Sequence, residues 1–286
     1  MSMDVLTREY RTPTPIRLSV TTGAGSVQVD AVDGDRTVVT ITPAAGHSDA
    51  RQEALAGAVV EQRGDQIVVE VPRRSVGFLG RGSDLAISVL VPPGSTAEVI
   101  TDSADLRTTG LLGAVHAKSG SGDLVIEHAG EVSTHTGSGN TAVTRADGPV
   151  QVRSGSGDVA VHAAAGGCSV STGSGDIRVE RAEGPVQINT GSGDVTVDDA
   201  GSNVAVSTAS GDHHLARVRR GQVKASSASG DVHVGVLDGT AVWLDVTTVS
   251  GTVHSALDRG EAPPQDEESV TLRVTTVSGD ISLARA

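Results

Sequence analysis

A five-residue phrase that returns at near-constant spacing limits this chain more than any other feature. Thr-Gly-Ser-Gly-Asp stands at 172–176 and again at 190–194, and close variants recur on both sides. Taking the residue after each Ser-Gly or Ser-Ala pair as an anchor gives Asp105, Asp123, Asn140, Asp158, Asp176, Asp194, Asp212, Asp231, Thr252 and Asp280. The first seven are spaced 18, 17, 18, 18, 18 and 18 residues apart, and the later gaps grow to 19, 21 and 28. A fixed period of this length is the signature of a stacked repeat.

Apolar residues keep fixed offsets from the anchor. Val159 and Val161, Ile177 and Val179, and Val195 and Val197 lie one and three residues after it; Val186 and Ile188, and Val204 and Val206, lie eight and six before it. This two-residue alternation predicts two short strands per repeat, one on each side of a turn. A second corner falls at Ala146, Ala164, Ala182 or Ala200 and the glycine that follows. A unit this short cannot bury its own apolar side, so successive units stack, with equivalent strands paired in parallel. The expected fold is all-β: a parallel β-solenoid of ten rungs over residues 97–283. A meander of antiparallel hairpins is the competing arrangement.

Four residues before each anchor stands a hydroxyl: Thr101, Ser119, Thr136, Ser154, Thr172, Thr190, Thr208, Ser227, Thr248 and Thr276. The alternation that buries Val186 and Ile188 points Thr190 inward as well. A buried hydroxyl is costly unless bonded, so each is expected to bond a turn amide or the hydroxyl one rung away. Glycine on either side of the Ser is expected to supply positive φ. The anchor Asp reads as a corner residue whose carboxylate accepts a nearby backbone amide; Asn140 and Thr252 in its place argue against an indispensable metal ligand or catalyst.

Residues 18–29 fit the same template with Ser26 as anchor and form a first rung. Strands are predicted over 36–42 and 66–71, a short helix over 48–56, and loops over 72–83 and 258–268. The sequence therefore divides into an N-terminal β region with first rung and cap, 1–95, and the repeat array, 96–286.

Aromatic residues are nearly absent, so the core must be built from Val, Ile, Leu, Ala and Thr. The net charge of -13 repels phosphate backbones and argues against nucleic-acid binding. No apolar run is long enough for a membrane span, and residues 1–18 show no signal-peptide pattern; a cytoplasmic location is expected.

Candidate chemistry is sparse. His214, His233 and His254 each lie two residues after an anchor and are expected to stack outward on three consecutive rungs. Imidazoles at strand spacing can share a zinc or nickel ion; the alternative is three solvated rings on a β face. Calcium between Gly-Ser-Gly-Asp turns would need several converging oxygens, and the opposite corner supplies no acidic motif. His213 takes an inward slot and reads as a satisfied core histidine. Cys168 takes the slot held by Val150 and Val186 in neighbouring rungs and reads as packing. Arg63-Gly64-Asp65 reads as a hairpin turn, and the basic run 216–224 as a small patch on an acidic chain. No acid–base or nucleophile constellation emerges, and no cofactor is expected.

The order Val-Pro-Pro-Gly (91–94), "TDSADLRTTGLLGAV" (101–115), then serial "SGDL", "SGDV" and "SGDI" resembles the bacterial putative-adhesin β-strand-repeat family, a domain of unknown function. The resemblance runs from about residue 16 to the end. It implies a β-solenoid without known catalytic residues, and related repeat domains occur in envelope-stress response proteins. The function expected is a non-enzymatic scaffold that binds an unknown partner protein. The alternatives are end-to-end self-association into a structural element and a metal-binding solenoid.

Overall fold

The structure, a computed structural model, describes residues 5–43, 49–72, 84–257 and 269–286. The chain forms two compact units, Met1–Thr144 and Arg145–Ala286, and both are built on the predicted rung. The change in sequence character at residue 95 lies inside the first unit.

The first unit opens with β1 (Leu6–Arg11), β2 (Arg17–Thr22), β3 (Gly25–Ala31) and β4 (Arg36–Pro43). The helix α1 (Asp49–Ala56) follows, then β5 (Val59–Arg63), β6 (Gln66–Glu70), β7 (Leu85–Val91), β8 (Thr96–Thr101), β9 (Asp105–Ser119) and β10 (Leu124–Thr136). β2 and β3 are the predicted first rung. β2 pairs in parallel with both β6 and β8, and β3 with both β7 and β9. The first rung thus stacks directly on the array, and the β6–β7 segment, later in sequence, packs on its other side. Antiparallel strands finish that side: β5 on β6, and β4 on β7 with β1 beyond it. The helix and the strands at 36–43 and 66–70 match the sequence pattern. Ser48, the first residue of the predicted helix, residues 73–83 of the first predicted loop and the whole of the second, 258–268, lie outside the described residues.

β11 (Thr141–Ala146) spans the division between the units. The second unit contains β12 (Val150–Ser156), β13 (Val159–Ala164), β14 (Cys168–Ser174), β15 (Ile177–Ala182), β16 (Val186–Ser192), β17 (Val195–Ala200), β18 (Val204–Ser210) and β19 (His213–Val218). β20 (Gly221–Ser229), β21 (Val232–Val236), β22 (Ala241–Ser250), β23 (Val253–Ser255), β24 (Ser269–Ser278) and β25 (Ile281–Arg285) complete it. From β12 to β19 each strand pairs in parallel with its equivalent one repeat on, as β14 with β16 and β15 with β17. The hairpin meander is therefore excluded. Val186, Ile188, Val195 and Val197 are buried, between 0% and 2% exposed, so the interior is filled by stacked aliphatic files.

Rung order departs from chain order after β21. β24 and β25 pair with β20 and β21 on one side and with β22 and β23 on the other. The last rung in sequence is therefore inserted, and β22–β23 becomes the outermost rung. The 28-residue gap between Thr252 and Asp280 is long enough for that return.

Candidate interaction faces

The repeated carboxylate has one structural task throughout. Oδ1 of Asp105 accepts the amide of Asp123 at 3.0 Å, and Oδ1 of Asp123 that of Asn140 at 2.8 Å. In the second unit the same bond runs from Asp158 through Asp176, Asp194, Asp212 and Asp231 to Asp280, with distances between 2.7 and 2.9 Å. The accepted amide belongs to the equivalent anchor one rung away, not to the Asp's own turn. Each corner is thus pinned to the next by a charge-assisted hydrogen bond.

In the second unit only the second of the two corner glycines has positive φ, as Gly175 at 125°, Gly193 at 130° and Gly211 at 135°; Gly122 and Gly139 of the first unit do not. A Cβ on Gly193 would lie 2.2 Å from the carbonyl oxygen of Gly175. The glycine is therefore required by the stacking distance as well as by the turn. The first glycine is replaced by Ala209, Ala228, Val249 and Val277 in later rungs, which corrects the expectation that both are conformationally necessary.

Most of the inward hydroxyls find one of three kinds of partner; Ser154, expected to bond like the others, is buried with its Oγ unpartnered. Ser119 and Thr136 accept turn amides of Gly122 and Gly139 at 2.8 and 3.0 Å. Thr101 donates to Ser119 and Thr208 to Ser227, both at 3.1 Å. Thr172 and Thr190 donate to the carbonyls of Ser174 and Ser192 in their own turns.

His213 is half satisfied. Its Nε2 lies 2.9 Å from the Thr208 hydroxyl; that hydroxyl gives its proton to Ser227, so Nε2 is the donor. Nδ1 is buried without a partner, and burial lowers the ring's pKa from 6.5 to about 4. Cys168 is 2% exposed, and burial pushes its thiol up to about 12. Neither group offers chemistry to a ligand.

The predicted histidine file is only partly assembled. His214 pairs with His233 across β19 and β21, with ring centroids 4.9 Å apart and planes 11° from parallel. Burial, and then the neighbouring His214, lower the pKa of His233. His254 does not follow: Ser282 of the inserted β25 pairs with His233 on one side and His254 on the other. The expected order failed because it took chain order for spatial order. Parallel rings direct their nitrogen lone pairs side by side, not toward one point. Among the described residues, no group of three or more His, Cys, Asp or Glu could hold a metal ion.

Two outward features were not read from the sequence. Ser156, Ser174, Ser192, Ser210, Ser229, Ser278 and Ser250 form one exposed file through the second unit, each paired with the next. The serine recurs in the sequence, but only the parallel register shows that its copies form one file. In the first unit, Glu98, His116, Lys118, Ser133 and His135 line a shallow groove of about 320 Å³; no short motif carries it, because its residues come from three strands. The basic run 216–224 is partly neutralised: Arg219 donates to Glu183 and Asp199, both at 3.0 Å, which lowers the Glu183 pKa. Arg63-Gly64-Asp65 is the expected hairpin turn, with Gly64 at φ 66° between antiparallel β5 and β6.

The model of the family described as Toastrack DUF4097 matches residues 15–284. The chain belongs to this family. The match spans the first rung and nearly all of the array, close to the extent the sequence resemblance implied. No curated protein matches the chain. Solved structures similar to this toastrack chain include a "putative adhesin" from Bacteroides fragilis NCTC 9343, 11% identical, covering 99% of this chain and 98% of that one, TM-score 0.35. A second "putative adhesin", from Parabacteroides distasonis ATCC 8503, is 10% identical over 97% and 96%, TM-score 0.40. A "Putative lipid binding protein" from Parabacteroides distasonis ATCC 8503 is 13% identical over 98% and 97%, TM-score 0.44. At these scores the likeness carries no functional weight.

Proposed function

We propose that this toastrack chain is a non-enzymatic interaction scaffold that presents its outward β files to a partner protein. The observation that supports this reading most is the exposed seven-serine file, held in strict register by parallel pairing. Cys168 and His213 are buried, and each corner Asp of the second unit from Asp158 to Asp231 gives an oxygen to a neighbouring amide. The serine file itself is a regular, short-chained strip suited to a flat protein face.

The test is cross-linked capture from a native bacterial lysate with the parent chain and with Ser192→Lys/Ser210→Lys. Both positions are exposed, so the variant keeps the fold while placing two charges on the file. A partner retained by the parent and lost by the variant supports the proposal. Equal capture by both, or no capture by either, overturns this face as the binding surface.

A further inference from the structure

The outermost rung of the second unit has an unfinished edge. Among the described residues, β22 pairs only with β24 and β23 only with β25. Leu244 and Val253 occupy inward files, yet they are 46% and 44% exposed, whereas their neighbours Leu272 and Ile281 are each 0% exposed. Beside them Trp243 is 55% and Val249 77% exposed. A bare strand edge with apolar side chains is a template for another strand.

We propose that this edge is a homodimer interface, occupied by the same rung of a second copy of this chain. Three observations favour that occupant. First, β22 is self-complementary when reversed about Val246. Antiparallel pairing centred there sets Trp243 opposite Val249 of the second copy, Leu244 opposite Thr248 and Asp245 opposite Thr247. Each pair lies on one face of the ribbon, and the aromatic–β-branched pair is a favoured cross-strand contact.

Second, the edge has been cleared of charge. In a chain of net charge -13, residues 241–257 hold one carboxylate, Asp245, and no Lys or Arg. Arg273 of β24 donates to Asp245 at 3.1 Å. The anchor of this rung is Thr252, where eight of the other nine carry Asp. Two such edges meet without like-charge repulsion.

Third, the outer strands of the first unit are guarded. β1 carries Arg8, Glu9 and Arg11, and β5 carries Glu61 and Arg63; charges on an edge strand disfavour pairing. Among the described residues the unguarded edge occurs at one place, and a single such edge gives a closed, two-fold contact and not an open filament.

Trp243 is the only tryptophan, so the interface contains its own probe. Sedimentation equilibrium of the full chain should show a monomer–dimer equilibrium, with Trp243 emission moving to longer wavelength on dilution. Val249→Lys should weaken the dimer on the order of tenfold or more, with unchanged circular dichroism. Glu61→Lys on the guarded strand β5 should leave dimerisation unchanged. A parent that remains monomeric, including one whose edge binds only some other protein, overturns the proposal. So do filaments without a defined end, or a Val249→Lys chain that dimerises like the parent. None of these outcomes touches the serine-file scaffold, which is read by capture from lysate.

Discussion

The carboxylate of Asp280 accepts the backbone amide of Thr252 at 2.7 Å, although Asp280 follows Thr252 by 28 residues. Everywhere else the anchor Asp accepts the amide of a later anchor; here the direction is reversed. The reversal marks the inserted rung, because the amide of Asp280 is itself bound by Asp231. It also explains why the anchor at 252 is Thr. Among the described residues no further anchor amide follows this outermost rung, so a carboxylate there would have nothing to accept.

Asp194→Asn should leave the corner intact, because the amide oxygen can still accept the N–H of Asp212. Asp194→Ala should cost about 1 kcal/mol through the lost inter-rung bond. Urea unfolding of both variants compares them. Adding calcium or a chelator should leave the parent's melting temperature unchanged; a rise with calcium would mean that the carboxylates also hold an ion.

Gly193→Ala should be far more damaging than its size suggests. The residue holds φ at 130° and its new Cβ would press within 2.2 Å of the Gly175 carbonyl oxygen. A loss of several kcal/mol, at least about 3, is expected from combined strain and displacement of the neighbouring corner. Thermal unfolding with near-parent stability would show that the corner spacing is soft.

Ile188→Asp should unfold the rungs around it, costing about 3 kcal/mol or more for an unpaired buried charge. Ile188 is 0% exposed between Val170 and Val206. Hydrogen exchange should show lost protection over 168–210 in the variant. Protection equal to the parent's would refute the inward assignment.

His213 should make the fold acid-sensitive. Its pKa falls from 6.5 to about 4 because burial penalises the charged ring. An unfolded chain takes up a proton below about pH 6.5 and the folded one does not until about pH 4. Stability is therefore full above pH 6.5 and declines as pH falls toward 4, by about 3 kcal/mol. His213→Val matches Val195 and Val232 in the same file and should flatten this dependence in denaturant titrations between pH 4 and 7. An unchanged slope would assign the acid sensitivity to other groups.

Cys168 should resist a thiol reagent at neutral pH in the folded chain and react at once in denaturant, since its thiol is 2% exposed with a pKa near 12. Rapid labelling of the native protein would show that its rung opens locally.

Most of the fold was legible in the sequence because a two-residue alternation around a regular turn admits few packed solutions. Val186, Ile188 and Thr190 share a face whatever the neighbouring rungs do, and only stacking can cover that face. The hairpin at Gly64 and the burial of Cys168 follow from the same local pattern, whereas the corner Asp takes its amide from the next rung.

What the sequence could not determine is which rung lies beside which. Parallel rungs present nearly the same files of inward side chains, so the local pattern accepts any neighbour of equal register. Contacts between distant segments, and connections long enough to return, decide the order. That is why β2–β3 sits between strands from later in the chain, why Ser282 separates His233 from His254, and why Trp243 lies on the outermost strand among the described residues. The repeat fixed the shape of a rung through short-range sterics. The order of the rungs, and with it every side-by-side pairing on the outer faces, was settled only by tertiary packing.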